Sequence, residues 1–303
     1  MIKYVIEVIF FDKGPDIMKL PFKIDLNNKV AVVTGGGGVL CSEFARALAA
    51  SGAKVAVCDL RVEAAQATVD TIVEAGGHAI AVEANVLDRQ SLAAAREKIN
   101  SELGTCDILL NGAGGNNPKG TTTKEYLFPE DLDPETSKDI TTFFDLDPDG
   151  IQFVFNLNFI GTLLPTQVFA RDMAGKKDPV IINISSMNSF RPLTKIPAYS
   201  GAKAAVSNFT MWLAVHFAPV GIRVNAMAPG FFITNQNRGL LLNPDGSYTA
   251  RSEKILAHTP MNRFGTPDDL IGTLLWLTDS ASSGFVNGVV VPVDGGFAAY
   301  SGV

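Results

Sequence analysis

The chain has 303 residues, 47% hydrophobic, 18% charged and 9% aromatic, which excludes disordered, collagen-like and low-complexity classes. That length suits two domains of about 150 residues or one α/β domain of about 250, and either buries a core without covalent staples. A net charge of −6 and a pI near 5.1 have the wrong sign for a nucleic-acid surface.

Residues 4–11 are apolar and β-prone, but Glu7 interrupts them and the run is too short to span a bilayer. They lack the basic start and cleavage site of a secretory signal, so no membrane association is expected. Residues 1–24 read as an N-terminal extension: an extra strand, an arm, or sequence ahead of a better start at Met18. Cys41, Cys58 and Cys106 have no metal-ligand spacing and read as reduced thiols of a cytoplasmic protein. His78, His216 and His258 are equally scattered, so no metal site is expected. Of these, only His258 lies in a presumed substrate lid over residues 255–261.

From residue 30 onward, short β-branched runs alternate with longer helical segments. Residues 30–33 show no polar alternation, the pattern of a strand buried on both faces. Gly35 to Gly38 follow, then a helix over 42–51 with Phe44, Ala45 and Leu48 at helical spacing. Further strands are predicted at 54–58, 79–82, 107–110, 180–184, 222–226 and 289–293. Helices are predicted over 63–75, closed by Gly76 and Gly77, and over 91–103, opened by Asp88 or Ser91. This rhythm means βαβ units in an α/β, Rossmann-type, doubly wound parallel sheet. No repeat or linker interrupts it, so residues 25–303 are expected to form one domain.

One stretch breaks the rhythm. Residues 116–149, after strand four, hold nine acids against three bases, a net −6 equal to that of the whole chain. Such an acidic insertion serves as a lid or an interface, or is simply a solvated surface loop.

The glycine run opens a helix directly after the first strand, where backbone N–H groups and the helix dipole receive a pyrophosphate. Asp59 ends the second strand, where a carboxylate binds ribose hydroxyls and repels a 2′-phosphate. NAD is therefore expected, with NADP possible because Arg61 is close; alternatively Asp59 caps the next helix. Tyr199 and Lys203 stand four apart and share a helix face. An ammonium beside a phenol favours phenolate and lowers its pKa from near 10. Ser185-Ser186 ends strand five, so a strand-end hydroxyl and a helix phenol can converge on one substrate oxygen.

Thr34-Gly35, Asn111-Gly112-Ala113-Gly114, the Ser186, Tyr199 and Lys203 set, and Pro229-Gly230 with Thr234 together resemble the short-chain dehydrogenase/reductase family, over residues 25–303. The resemblance implies that Tyr199 is the general acid/base, and that Lys203 lowers its pKa and binds the nicotinamide ribose. Ser186 would polarise the substrate oxygen and Asn158 would hold a water of a proton relay. Asn111, Gly112, Ala113 and Gly114 would brace the cofactor side, and Pro229, Gly230, Phe232 and Thr234 would line the nicotinamide. Gly35, Gly37, Gly38, Val39 and Leu40 would form the phosphate loop. Val39 and Cys41 replace two of the family's glycines, so Gly37 and Gly38 are expected to supply the permissive torsions. Asn85 stands where an Asp is usual and would meet adenine through its amide or through the Val86 backbone. The helices after Asn158 and around 208–217 pair between subunits in this family, implying a homo-oligomer, with a tetramer favoured.

The presumed substrate wall is polar. Asn188, Arg191, Thr194 and Lys195 follow Ser186, Asn235 and Arg238 follow Thr234, and Asn116, Asn117 and Lys119 stand at the mouth. Guanidinium donors suit a carboxylate and amides suit hydroxyls, so a small polyhydroxylated acid is expected. Residues 34–41, 111–118, 156–167, 185–190 and 231–238 are similar to the D-mannonate oxidoreductase (fructuronate reductase) branch of the family. That likeness implies reduction of D-fructuronate to D-mannonate with NADH; a gluconate 5-dehydrogenase-like activity is the near alternative. A non-catalytic NAD-binding protein would be expected to lose the Ser, Tyr or Lys. An epimerase or dehydratase needs a C-terminal substrate domain for which too little chain remains.

Overall fold

Seven apolar runs pair into one sheet, as the alternation predicts. The computed structural model describes residues 24–133, 135, 138–234 and 237–302; Met18 and nearly all of the extension lie outside them. The strands are β1 (Val30–Thr34), β2 (Lys54–Asp59), β3 (His78–Glu83), β4 (Ile108–Asn111), β5 (Val180–Ile184), β6 (Arg223–Pro229) and β7 (Val290–Val293). All pairings are parallel, in the order β3-β2-β1-β4-β5-β6-β7. The long helices of the first half are α1 (Val39–Ala50), α2 (Val62–Glu74) and α3 (Arg89–Glu102). In the middle lie α4 (Pro148–Phe155), α5 (Gly161–Met173) and α6 (Pro197–Phe217). Short α7 (Arg238–Leu241) and α8 (Ala250–Ala257) precede α9 (Asp268–Thr278) and α10 (Ser280–Ser283). The helix after β3 starts earlier than its apolar pattern because Asp88 caps it, accepting from the Gln90 N–H.

Side chains alternate across each strand, and both sides are covered. Val33, Val57, Leu110 and Ile182 join Phe44, Leu48, Ile72 and Leu274 on one face. Val32, Ala56, Leu109 and Ile181 join Leu92, Ile99, Phe169 and Leu213 on the other. Burial on two faces is why the strands read as unbroken apolar runs. The helical stretch Pro148–Met173 is long and apolar enough to cross a membrane by length and composition. Its Val154, Phe169, Ala170 and Met173 are buried in the helical layers, which accounts for that composition. The three cysteines are free and buried, and burial pushes the Cys41 and Cys58 thiols up to about 12.

The chain leaves β1 for one side of the sheet and β4 for the other, so a crevice opens beyond their carboxyl ends. Polar side chains hold that edge. Thr34 Oγ1 accepts from the N–H groups of Gly112 (3.1 Å) and Ala113 (3.4 Å). Asn111 Nδ2 donates to Thr166 Oγ1 and to Asn183 Oδ1, and Asn183 Nδ2 donates to Thr210 Oγ1, each at 2.9 Å. These buried amides tie β4 and β5 to α5 and α6. Asn183→Ala strands the Asn111 amide and the Thr210 hydroxyl, so a loss of about 2–4 kcal/mol is expected in urea unfolding. A loss below about 0.5 kcal/mol would show that the network is dispensable.

Candidate active site

The glycine loop sits where the sequence puts it, but its torsions differ from expectation. Gly35 takes the left-handed conformation at φ +68°, whereas Gly38 is extended at φ −81°, ψ 157°, and Gly37 has no positive φ. Gly37 is needed instead for contact: a Cβ there would lie 2.5 Å from the Ala64 Cβ. Gly36, which the sequence reading passed over, would meet Val57 at 2.5 Å and donates to the Cys58 carbonyl. Val39 is the first residue of α1, where helical torsions suit any residue, so a glycine is not required there. No side chain caps that helix and no acid stands in its first turn. Its first N–H groups, from Val39 and Leu40, are therefore free to meet an anion.

Asp59 is anchored rather than capping α2, whose N-cap is Arg61. Its Oδ2 accepts from the Gly37 N–H at 3.1 Å and its Oδ1 from the Arg61 N–H at 3.0 Å. Each carboxylate oxygen keeps a lone pair for a ribose hydroxyl. Asn85 uses its Oδ1 on the Leu87 N–H, which leaves its Nδ2 for an adenine edge, and Val86 is buried beside it. A helix end without a cap, a strand-end carboxylate and side-chain-free turns at Gly35 and Gly112 fit a dinucleotide.

Across the crevice, β5 and α6 supply the reacting groups. The Ser186 hydroxyl stands near enough to the Tyr199 phenol to oppose the rise that burial causes in its pKa. Lys203 is 4% exposed and donates to the Ile184 carbonyl at 2.8 Å, with its Nζ 5.7 Å from the Tyr199 ring centroid. Gly114 closes this space: a Cβ there would sit 2.7 Å from Asn158 Oδ1 and 3.2 Å from Lys203 Nζ. Serine, phenol and ammonium therefore converge as expected. The electrostatics do not follow the simple expectation. Burial pushes the Tyr199 phenol above its ordinary value, opposed by the Ser186 hydrogen bond, and burial lowers the Lys203 ammonium to about 8.

Asn158 also has a fastening role. It lies in a π turn, Asn156–Ile160, between α4 and α5. Its Nδ2 donates to the Gly115 and Val154 carbonyls (2.7 and 2.8 Å) and its Oδ1 accepts from the Gly115 N–H at 3.3 Å. A carboxamide so engaged fastens the loop after β4 to the helix, and its Oδ1, with one bond accepted, keeps a lone pair.

Beyond β6, Pro229 ends the strand and the Gly230 N–H donates to the Val293 carbonyl. A Cβ on Gly230 would meet Asp294 at 2.6 Å. Phe232 is buried against Gly265. Asn237 pins this segment, accepting from the Thr234 N–H (2.7 Å) and donating to the Phe232 carbonyl (2.8 Å). Asn235 lies outside the described residues, and Arg238 is exposed at the start of α7. Asn188 is buried. Arg191 is exposed; its Nε donates to the Ala298 carbonyl at 3.1 Å, leaving the Nη edge open. The Lys195 carbonyl accepts from Thr122 of the acidic insertion at 2.9 Å. Glu125 of that insertion pairs with Lys254 of α8, so the insertion links the loop after β5 to α8. His258 lies at the end of α8, its Nδ1 bonded with the Lys254 carbonyl at 2.7 Å. These links join residues far apart in sequence and have no local signature.

The Lys203 charge has a thermodynamic consequence. A lysine that releases its proton at lower pH folded than unfolded leaves the unfolded chain with more bound protons between about pH 8 and 10.5, so stability rises with pH there. Against Lys203→Met, the wild type should gain on the order of 2 kcal/mol between about pH 7.5 and 9.5 in urea midpoints. Parallel midpoints for the two proteins would remove the buried charge as the cause.

The chain is similar to known proteins. Residues 29–243 match the short chain dehydrogenase family model. An uncharacterized oxidoreductase of Haemophilus influenzae is 57% identical over 94% of this chain and 99% of its own. An uncharacterized oxidoreductase of Bacillus subtilis, UxuB, is 54% identical over 94% and 100%. A crystal structure from Haemophilus influenza, provisionally named D-mannonate oxidoreductase and holding NAD, superposes with a TM-score of 0.87 at 58% identity, covering 92% of this chain and 98% of that one.

Proposed function

The chain belongs to the short-chain dehydrogenase/reductase family, and from that we propose that it interconverts D-fructuronate and D-mannonate with NADH and NAD. The observation that carries the reading is the buried Lys203 ammonium 5.7 Å from the Tyr199 ring centroid and bonded to the Ile184 carbonyl at the end of β5, two residues before Ser186. The substrate assignment draws on the similar protein provisionally named D-mannonate oxidoreductase and on the polar loop that follows Ser186.

NADH, held by the α1 N-terminus and Asp59, supplies the hydride when bound. Ser186 donates a hydrogen bond to the ketone oxygen and polarises it. Tyr199, a phenol protonated at neutral pH and held so more firmly by burial, delivers its proton to that oxygen as the carbinol forms. The Lys203 ammonium then favours the phenolate left behind, and it is the group that binds the nicotinamide ribose. Gly112, Ala113 and Gly114 admit the cofactor where side chains would block it, and Pro229, Gly230, Phe232 and Thr234 form the far wall of the nicotinamide site. The open Nη edge of Arg191 receives the carboxylate, and Lys195 and Arg238 add positive charge at the mouth.

Asp59 favours NAD, with NADP accepted less well. We further assign a cytoplasmic homo-oligomer, with a tetramer favoured. Three buried free thiols suit a reducing compartment. Trp212 and Val215 of α6 are 55% and 79% exposed, an apolar face that a second copy would cover.

Tyr199→Phe should abolish turnover and keep near-wild-type NADH affinity by fluorescence titration; retained turnover would defeat the acid assignment. In an NADH-oxidation screen of 2-keto and 5-keto sugar acids, D-fructuronate should give the highest kcat/KM. Preference for 5-keto-D-gluconate would move the reading to gluconate 5-dehydrogenase, and turnover of neutral ketones alone would end it. Arg191→Ala should raise KM about tenfold more for the sugar acid than for a neutral ketose; equal effects would remove the carboxylate contact.

A further inference from the structure

The acidic insertion after β4 carries an apolar surface that hydride transfer does not use. Tyr126, Leu127, Phe128, Phe143 and Phe144 are 47–70% exposed. Tyr126, Leu127 and Phe143 line one cavity together with Ile140 and Pro197. The ring centroid of Phe128 stands 6.5 Å from that of Tyr126, and that of Phe144 5.7 Å from that of Phe143. Two backbone donors tie the halves of this patch together. The Thr123 N–H reaches the Thr141 carbonyl and the Thr141 N–H reaches Thr123 Oγ1, each at 2.9 Å.

The insertion is acidic, yet its cavity carries no free charge. The charged groups that line it are Lys124, Glu125 and Asp131. Lys124 pairs with Asp131 and Glu125 with Lys254, so each is neutralised within its own chain. The cavity holds about 210 Å³, and an apolar cavity of about 150 Å³ already takes a benzene ring. Phe144 protrudes beside it, 70% exposed, and its phenyl ring is of that size. A pocket and a protruding ring on one surface are self-complementary, as a two-fold contact requires. The four rings alone expose about 500 Å², more than half of the about 800 Å² that each partner contributes to a standard interface.

We propose that this patch is a self-association surface, on which the Phe144 ring of each copy enters the cavity of a second copy across a two-fold axis. The inference rests on the homo-oligomer reading above and deepens it. A tetramer with dihedral symmetry needs two different two-fold contacts, and the exposed face of α6 offers one. Pro197, beside the cavity, opens α6, and Trp212 lies about 22 Å further along that helix. The two contacts are therefore separate.

Sedimentation velocity and light scattering at low micromolar protein read the mass. Phe144→Asp, which sets a carboxylate against an apolar pocket, should halve the mass of the wild-type assembly. Leu127→Trp, which fills the cavity, should do the same, and Phe144→Ala should weaken that association step about 30-fold. Tm checks the folding of each variant. Unchanged mass in folded Phe144→Asp and Leu127→Trp overturns the proposal. Unchanged mass with a lowered Tm means that the patch is covered within its own chain, and overturns it too. Val215→Glu tests the α6 face separately: unchanged mass there removes that contact and leaves this one standing. A monomeric wild type overturns the homo-oligomer reading and this inference with it.

Discussion

A lysine ammonium held almost out of water, with a single carbonyl as its hydrogen-bond acceptor, is the constraint around which this protein is arranged. Lys203 reaches the Ile184 carbonyl at 2.8 Å and has no carboxylate partner within salt-bridge distance among the described residues. Burying such a charge unpaired is expensive, and burial itself brings its pKa down to about 8. The surroundings limit that cost by dipoles rather than by counter-charge. Gly114 brings backbone to the ammonium where any side chain would intrude, and the Tyr199 ring lies 5.7 Å away. A cation kept without a partner favours an adjacent anion, and a phenolate is the anion that proton delivery creates there.

Holding that lysine requires two strands and two helices to stay in register. The amides of Asn111 and Asn183 do this from within the sheet, and Asn158 does it from the helical layer through the Gly115 backbone. Each is fully or almost fully buried. Their bonds cross between strands and helices, and only Asn111 Oδ1 of the three carboxamides is buried without a partner among the described residues, so they favour one arrangement of the crevice. The acidic insertion works at longer range. It meets the loop after β5 through Thr122 and α8 through Glu125, placing two segments far apart in sequence on a common support.

Much of this was legible in the sequence. Unbroken apolar runs such as residues 30–33 and 180–184 announced strands covered on both faces, and Tyr199 and Lys203, four apart, announced a shared helix face. The glycine torsions were not legible. Four glycines in a row look interchangeable, and only the packing of Val57, Ala64 and Ala113 distinguishes a glycine needed for torsion from one needed for space. The direction of the phenol's pKa was not legible for a related reason: spacing reveals the neighbouring charge, whereas desolvation depends on everything that surrounds both groups.

By itself, then, the sequence determined the doubly wound sheet, the dinucleotide end and the identity of the reacting side chains, because these rest on local periodicity and residue chemistry. Tertiary structure alone decided that Asp59 serves the glycine loop instead of capping α2, that Asn158 fastens a loop, and that Arg191 is held by the Ala298 carbonyl. Among the described residues it also left four buried side-chain atoms without a hydrogen-bond partner: Asn100 Oδ1, Asn111 Oδ1, Asn188 Oδ1 and Ser200 Oγ. Hydrogen bonds between residues separated by tens to a hundred positions have no periodic trace, since a donor's partner is settled only when the chain has closed around it.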